Sequence, residues 1–71
     1  MKNIKIGSYA EIETFGARAA HYARCKIVSA DSSQICISYP RVTEKNGHIT
    51  VDSQADLIRE SAISRLRYYH N

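Results

Sequence analysis

Apolar and polar positions alternate with period two along much of this chain. The runs are Tyr9-Ala10-Glu11-Ile12-Glu13-Thr14, His21–Ser29, Gln34–Tyr39 and His48–Asp52. Successive side chains of a strand point to opposite faces, so such alternation marks strands with one buried face. The first run turns Ala10, Ile12 and Thr14 inward. A turn at Asp31-Ser32-Ser33 centred on Ser32 sets Ile27 opposite Ile37 and Cys25 opposite Tyr39. That register gathers Ala23, Cys25, Ile27, Ile35, Ile37 and Tyr39 on one face and leaves Cys36 on the other, opposite Val28. Pro40 ends this strand, since proline cannot donate to a sheet ladder. Asn46-Gly47, two residues that tolerate positive φ, turns a second hairpin whose return strand, His48–Asp52, points Ile49 and Val51 inward. The segment from Phe15 to Ala20 lacks alternation and carries Gly16, which predicts an irregular, mobile loop.

From Ser53 the period changes. Ala55, Ile58, Ala62, Leu66 and Tyr69 recur at helical spacing, and Ser53 with Asp56 resembles a capping box, which predicts a C-terminal helix. Ile63-Ser64-Arg65-Leu66-Arg67-Tyr68 also alternates, so a short helix over 54–60 followed by a closing strand fits equally well in kind. The fold class is mainly β: a small barrel or bent antiparallel sheet of 4–5 strands with a C-terminal helix or helical turn, forming one domain over residues 1–71.

With 71 residues the core must be small. A content of 44% hydrophobic and 24% charged residues is that of a folded domain rather than a disordered tail. No apolar run approaches the roughly 18 residues that span a bilayer, and the start, Met1–Gly7, has a charged end without a signal-type apolar segment. A cytoplasmic, membrane-free protein is expected. Both thiols are then expected to be free, because Cys25 and Cys36 fall on opposite faces and a cytosolic setting disfavours disulfides.

The opening Lys5-Ile6-Gly7-Ser8-Tyr9-Ala10-Glu11-Ile12 is similar to the K-x-G-D-x-V-x-V start of SH3-like small barrels of the Tudor and KOW kind. Tyr22-Ala23-Arg24-Cys25-Lys26-Ile27-Val28 resembles their second strand. The resemblance covers roughly the whole chain and implies a non-enzymatic binding barrel. Ser8 departs from the usual acidic residue. An aromatic cage for methylated ammonium groups needs several rings around one pocket, and only Tyr9, Phe15, Tyr22 and Tyr39 are candidates, with Tyr39 turned inward.

No chemistry-bearing motif emerges beside this. His21, His48 and His70 with the two cysteines show no zinc-ligand spacing, and no metal or cofactor is expected. No thiol or hydroxyl can be paired with a base, Gly7, Gly16 and Gly47 are isolated, and Glu11 with Glu13 reads as a solvated strand face rather than an acid/base pair. An enzyme is not expected.

Charge gives the functional lead. The net charge of +3 is modest, but the register projects Tyr22, Arg24, Lys26 and Val28 from one face just after Arg18 and His21. That combines phosphate-seeking cations with a stacking ring. Arg41 and a C-terminal cluster holding Arg65 and Arg67 extend it. The plain alternative is that these are solvated side chains on ordinary strands. The expected function is therefore nucleic-acid binding, DNA or RNA, through Arg18, His21, Tyr22, Arg24, Lys26, Arg41, Arg65 and Arg67. The alternative is a protein–protein adaptor or small inhibitor of a larger host complex, as in phage or plasmid accessory proteins.

Overall fold

The computed structural model describes residues 4–70. Five strands, β1 (Tyr9–Thr14), β2 (His21–Ala30), β3 (Gln34–Lys45), β4 (His48–Arg59) and β5 (Ile63–Tyr68), form one antiparallel sheet in the order β4-β3-β2-β1-β5. A single 3₁₀ turn, Glu60–Ala62, links β4 to β5. The mainly-β architecture with a C-terminal helical turn is the one expected. β4 and β5 are the two edges, so the sheet is not closed. No helix among the described residues is long and apolar enough to cross a membrane.

Alternation builds the core on one face of the sheet. Ala10, Ile12, Cys25, Ile27, Ile35, Ile37 and Ile58 are all at most 5% exposed, and Ile4, Tyr22, Tyr39, Ile63, Leu66 and Tyr68 pack around them. Each buried isoleucine contributes about 1.5–3 kcal/mol relative to exposure. Ile27 pairs with Ile37, the register expected of the first hairpin. Its turn is held by Asp31, whose Oδ1 accepts the amides of Ser33 at 2.8 Å and Gln34 at 2.9 Å. Those two donors hold the Asp31 carboxyl below the usual carboxylate range.

Bulges in β2 revise three expected placements. Ala10 pairs with Cys25 but Ile12 pairs with Tyr22, so β2 carries an extra residue between them. Ala23 is therefore exposed rather than inward, and Tyr22 shares the core face with Ile12 instead of lying beside Arg24. A second bulge sets Cys36 opposite Ser29, not Val28. Both cysteines are free, Cys25 buried and Cys36 half-buried.

β3 does not stop at Pro40. Asn46 (φ 52°) and Gly47 (φ 78°) both adopt the positive φ of a two-residue type I′ turn, with Lys45 opposite His48. Pairs alternate from that hydrogen-bonded one, so Pro40 and Ser53 form a non-hydrogen-bonded pair. The Pro40 nitrogen then faces away from β4, toward ground where β2, last paired at Ser38, offers no partner. Beyond Pro40 the hairpin is a two-stranded arm with no strand behind it. Ile49 and Val51, expected inside, lie on the sheet face opposite the core, in phase with Leu57, and are 69% and 65% exposed. The arm accounts for the elongation: extents of 44 × 32 × 19 Å and a radius of gyration of 13.2 Å, against about 11 Å for a compact chain of this length.

The C-terminal helix is likewise replaced. Ser53–Arg59 continues β4 opposite Gln34–Pro40, where ladder pairing outcompetes a short helix of marginal stability. Ile58 faces inward and Ala55 outward, so the helical stripe does not exist. The closing strand of the competing assignment is present as β5, paired to β1.

Candidate nucleic-acid interface

The sheet face opposite the core gathers charge and aromatic rings over β2, β1 and β5. Pairing fixes the neighbours: Tyr9 with Lys26, Glu13 with His21 and Arg65, Glu11 with Arg67. Arg24, on this face as expected, places its guanidinium 4.8 Å from the Tyr9 ring centre and 4.9 Å from that of Tyr69. Arg67 stacks on Tyr69 as well, at 5.1 Å. Tyr69 is tied down at both ends: its amide donates to the Tyr9 carbonyl at 3.0 Å, and its hydroxyl donates to the Ala23 carbonyl that the bulge turns outward. Each such cation–π contact contributes about 0.5–1 kcal/mol at an exposed site, enough to hold a long side chain flat.

Two carboxylates sit within this surface. Arg67 donates through Nε and Nη2 to Glu11 Oε1 at 3.2 and 3.1 Å, and His21 Nε2 lies 2.8 Å from Glu11 Oε2 and 3.9 Å from Glu13 Oε1. The His21 hydrogen bond first, then Arg67, hold the Glu11 carboxyl below the usual carboxylate range. Among the described residues, Arg24, Lys26 and Arg65 make no ion pair, which leaves three cations for an external anion. Glu11, Glu13 and His21 also bring three ligand-type atoms within 4.8 Å of one another. Arg67 already supplies a cation to Glu11, the role a metal ion would otherwise take.

Three of the residues expected in the interface lie elsewhere. Tyr22 is on the core face, where its hydroxyl and that of Tyr39 donate to the same oxygen, Asp56 Oδ2, at 3.0 and 2.8 Å. Burial, then the Asp56 carboxylate, push the Tyr22 phenol up to about 12; the hydrogen bond to Asp56 raises Tyr39 too. Arg18, from the 15–20 loop, lines a cleft of about 500 Å³ with Phe15, Tyr22, Asp56 and Arg59. Arg41 is on the arm, its Nη1 donating to Gln54 Oε1 at 3.4 Å. Burial pushes the Cys25 thiol up to about 11, which suits its place in the core.

His21, Arg24, Lys26, Arg65 and Arg67 are thus brought together. Tyr9 and Tyr69 join them; neither was among the expected interface residues, although Tyr9 was an aromatic-cage candidate and Tyr69 adjoins the basic cluster of Arg65 and Arg67. A signal for Tyr9 was present in its alternation with Glu11 and Glu13. Tyr69 is reached only once β5 is paired with β1. The chain matches no family model, no curated protein and no solved structure.

Proposed function

We propose that this chain is a non-enzymatic nucleic-acid-binding module that uses the outer face of β2, β1 and β5. One observation carries the reading: Arg24 stacked between Tyr9 and Tyr69, next to the unpaired cations of Lys26 and Arg65. Cations neutralise phosphates and release condensed counterions, while flat ring and guanidinium surfaces accept bases irrespective of sequence. The meander in which the last strand returns beside the first, after a 3₁₀ turn, agrees with an SH3-like small barrel left open at β4 and β5.

Fluorescence anisotropy with labelled single-stranded DNA, duplex DNA and RNA tests this. Binding is expected to weaken linearly in log–log terms with salt and to fall at least tenfold in Arg24→Glu/Lys26→Glu, whose backbone positions remain outside the core. Tyr69→Ala is expected to reduce affinity for single strands more than for duplex. No binding to any of the three at low salt would overturn the reading.

A further inference from the structure

We infer that this chain forms a symmetric dimer by pairing β4 with β4 of a second copy, antiparallel and centred on Ser53. β4 is an edge strand twelve residues long, paired to β3 without a single register shift. Of the features that protect such edges, β4 has no lysine, proline or bulge, and its charged residues Asp52, Asp56 and Arg59 leave the alternate positions from Ile49 to Leu57 uncharged. Since His48 and every second residue after it bond to β3, the amides and carbonyls of Ile49, Val51, Ser53, Ala55 and Leu57 point out from the free edge. The same five residues carry the outward side chains of the strand, all uncharged. Ile49, Val51 and Leu57 are 69%, 65% and 66% exposed, and Val42 beside them is 67% exposed.

Self-pairing about Ser53 uses nearly the whole strand and matches the apolar side chains of its outward face. Ile49 meets the second copy's Leu57, Val51 meets its Ala55, and Ser53 meets Ser53. On the other face, Asp52 meets Gln54 and Asp56 meets Thr50. Moving the centre by one residue sets like charges against each other: Asp52 against Asp52 when centred on Asp52, and Asp52 against Asp56 when centred on Gln54. Avoidance of opposed aspartates and matching of the apolar side chains therefore favour the register centred on Ser53, and a two-fold axis makes the contact self-limiting. The continuous ten-stranded sheet keeps both basic faces on the same side, at its two ends.

Sedimentation equilibrium of the full chain from micromolar to millimolar concentration is expected to give twice the 8.0 kDa of one chain. Ser53→Pro removes an edge-facing amide while sparing the bonds to β3, and is expected to weaken dimerisation at least tenfold with an unchanged circular dichroism spectrum. A chain monomeric throughout, or a dimer indifferent to Ser53→Pro, overturns the proposal. Should that variant unfold, Ser53→Cys in a Cys36→Ser background decides. Opposed central residues lie about 5.5 Å apart at Cα, within disulfide reach, so rapid intermolecular cross-linking there and slow cross-linking by Ala55→Cys is expected. Equal or absent cross-linking refutes the register.

Discussion

The two ends of the β3–β4 hairpin have similar sequences and opposite fates. Near its base Ile35, Ile37 and Ile58 are at most 5% exposed, whereas toward its tip Val42, Ile49 and Val51 are 65–69% exposed. Both ends alternate, both are rich in β-branched residues, and one uninterrupted ladder runs through both. The difference is one of phase: the unbroken ladder puts Val42, Ile49 and Val51 on the face opposite Ile35, Ile37 and Ile58, the face on which Leu57, at the base itself, is 66% exposed. Alternation therefore reports which residues share a face, but not which of the two faces holds the core. The arm is held by its turn and its backbone bonds, the base by burial.

Removing a side chain from the base is the largest perturbation of this contrast. Ile37→Ala, at a position with no exposure, is expected to cost about 2–5 kcal/mol in urea unfolding. For a domain this small that leaves much of the population unfolded. A loss near zero would mean that the base is no better packed than the arm.

Less severe, and differently distributed, is Gly47→Val. Open space surrounds Gly47, so the penalty comes from its φ of +78° alone, about 1 kcal/mol or more for a β-branched residue. Amide exchange is expected to accelerate first along Arg41–Lys45 and His48–Asp52, while Ile35–Ser38 stays protected. Uniform acceleration along the whole hairpin would show that arm and base open as one unit.

The smallest effect is expected at Val42→Thr, which swaps an exposed methyl for a hydroxyl on the arm. Its stability change should stay within about 0.5 kcal/mol when measured on dilute protein. A loss comparable to that of Ile37→Ala would reveal a hidden layer over the arm.

The same distinction explains what was legible in the chain. The bounds of β1, the pairing of Ile27 with Ile37 and the turn at Asn46-Gly47 follow from alternation and turn chemistry, which are local. Inward placement of Ile49 and Val51 failed because β4 continues unbroken to Ile58, whose side chain is on the core face, and an odd number of steps back puts Ile49 and Val51 on the other. Pro40 reads as a stop unless the phase of its hydrogen bonding is known. The spacing of Ala55, Ile58, Ala62, Leu66 and Tyr69 is helical by coincidence, because the chain crosses from β4 through a 3₁₀ turn into β5. For the candidate interface, the cations on β2 and β5 were legible as residues but not as one group, since β5 reaches β2 only across β1. Tyr22 was misplaced by the bulge, which no glycine marks.

That bulge makes β2 sensitive to length in a particular way. Tyr22 opposes Ile12 and Cys25 opposes Ala10, with both Ala23 and Arg24 set against the single intervening residue, Glu11. A chain lacking Ala23 would run in regular register, with Tyr22, Cys25 and Ile27 still inward and Arg24 still outward, losing only the carbonyl that receives the Tyr69 hydroxyl. Removing Lys26 instead forces either Arg24 against Ala10 in the core or Ile27 onto the charged face. Natural length variation in this strand should therefore concentrate at 23–24, where one codon can be lost without exchanging the inside of the protein for its outside.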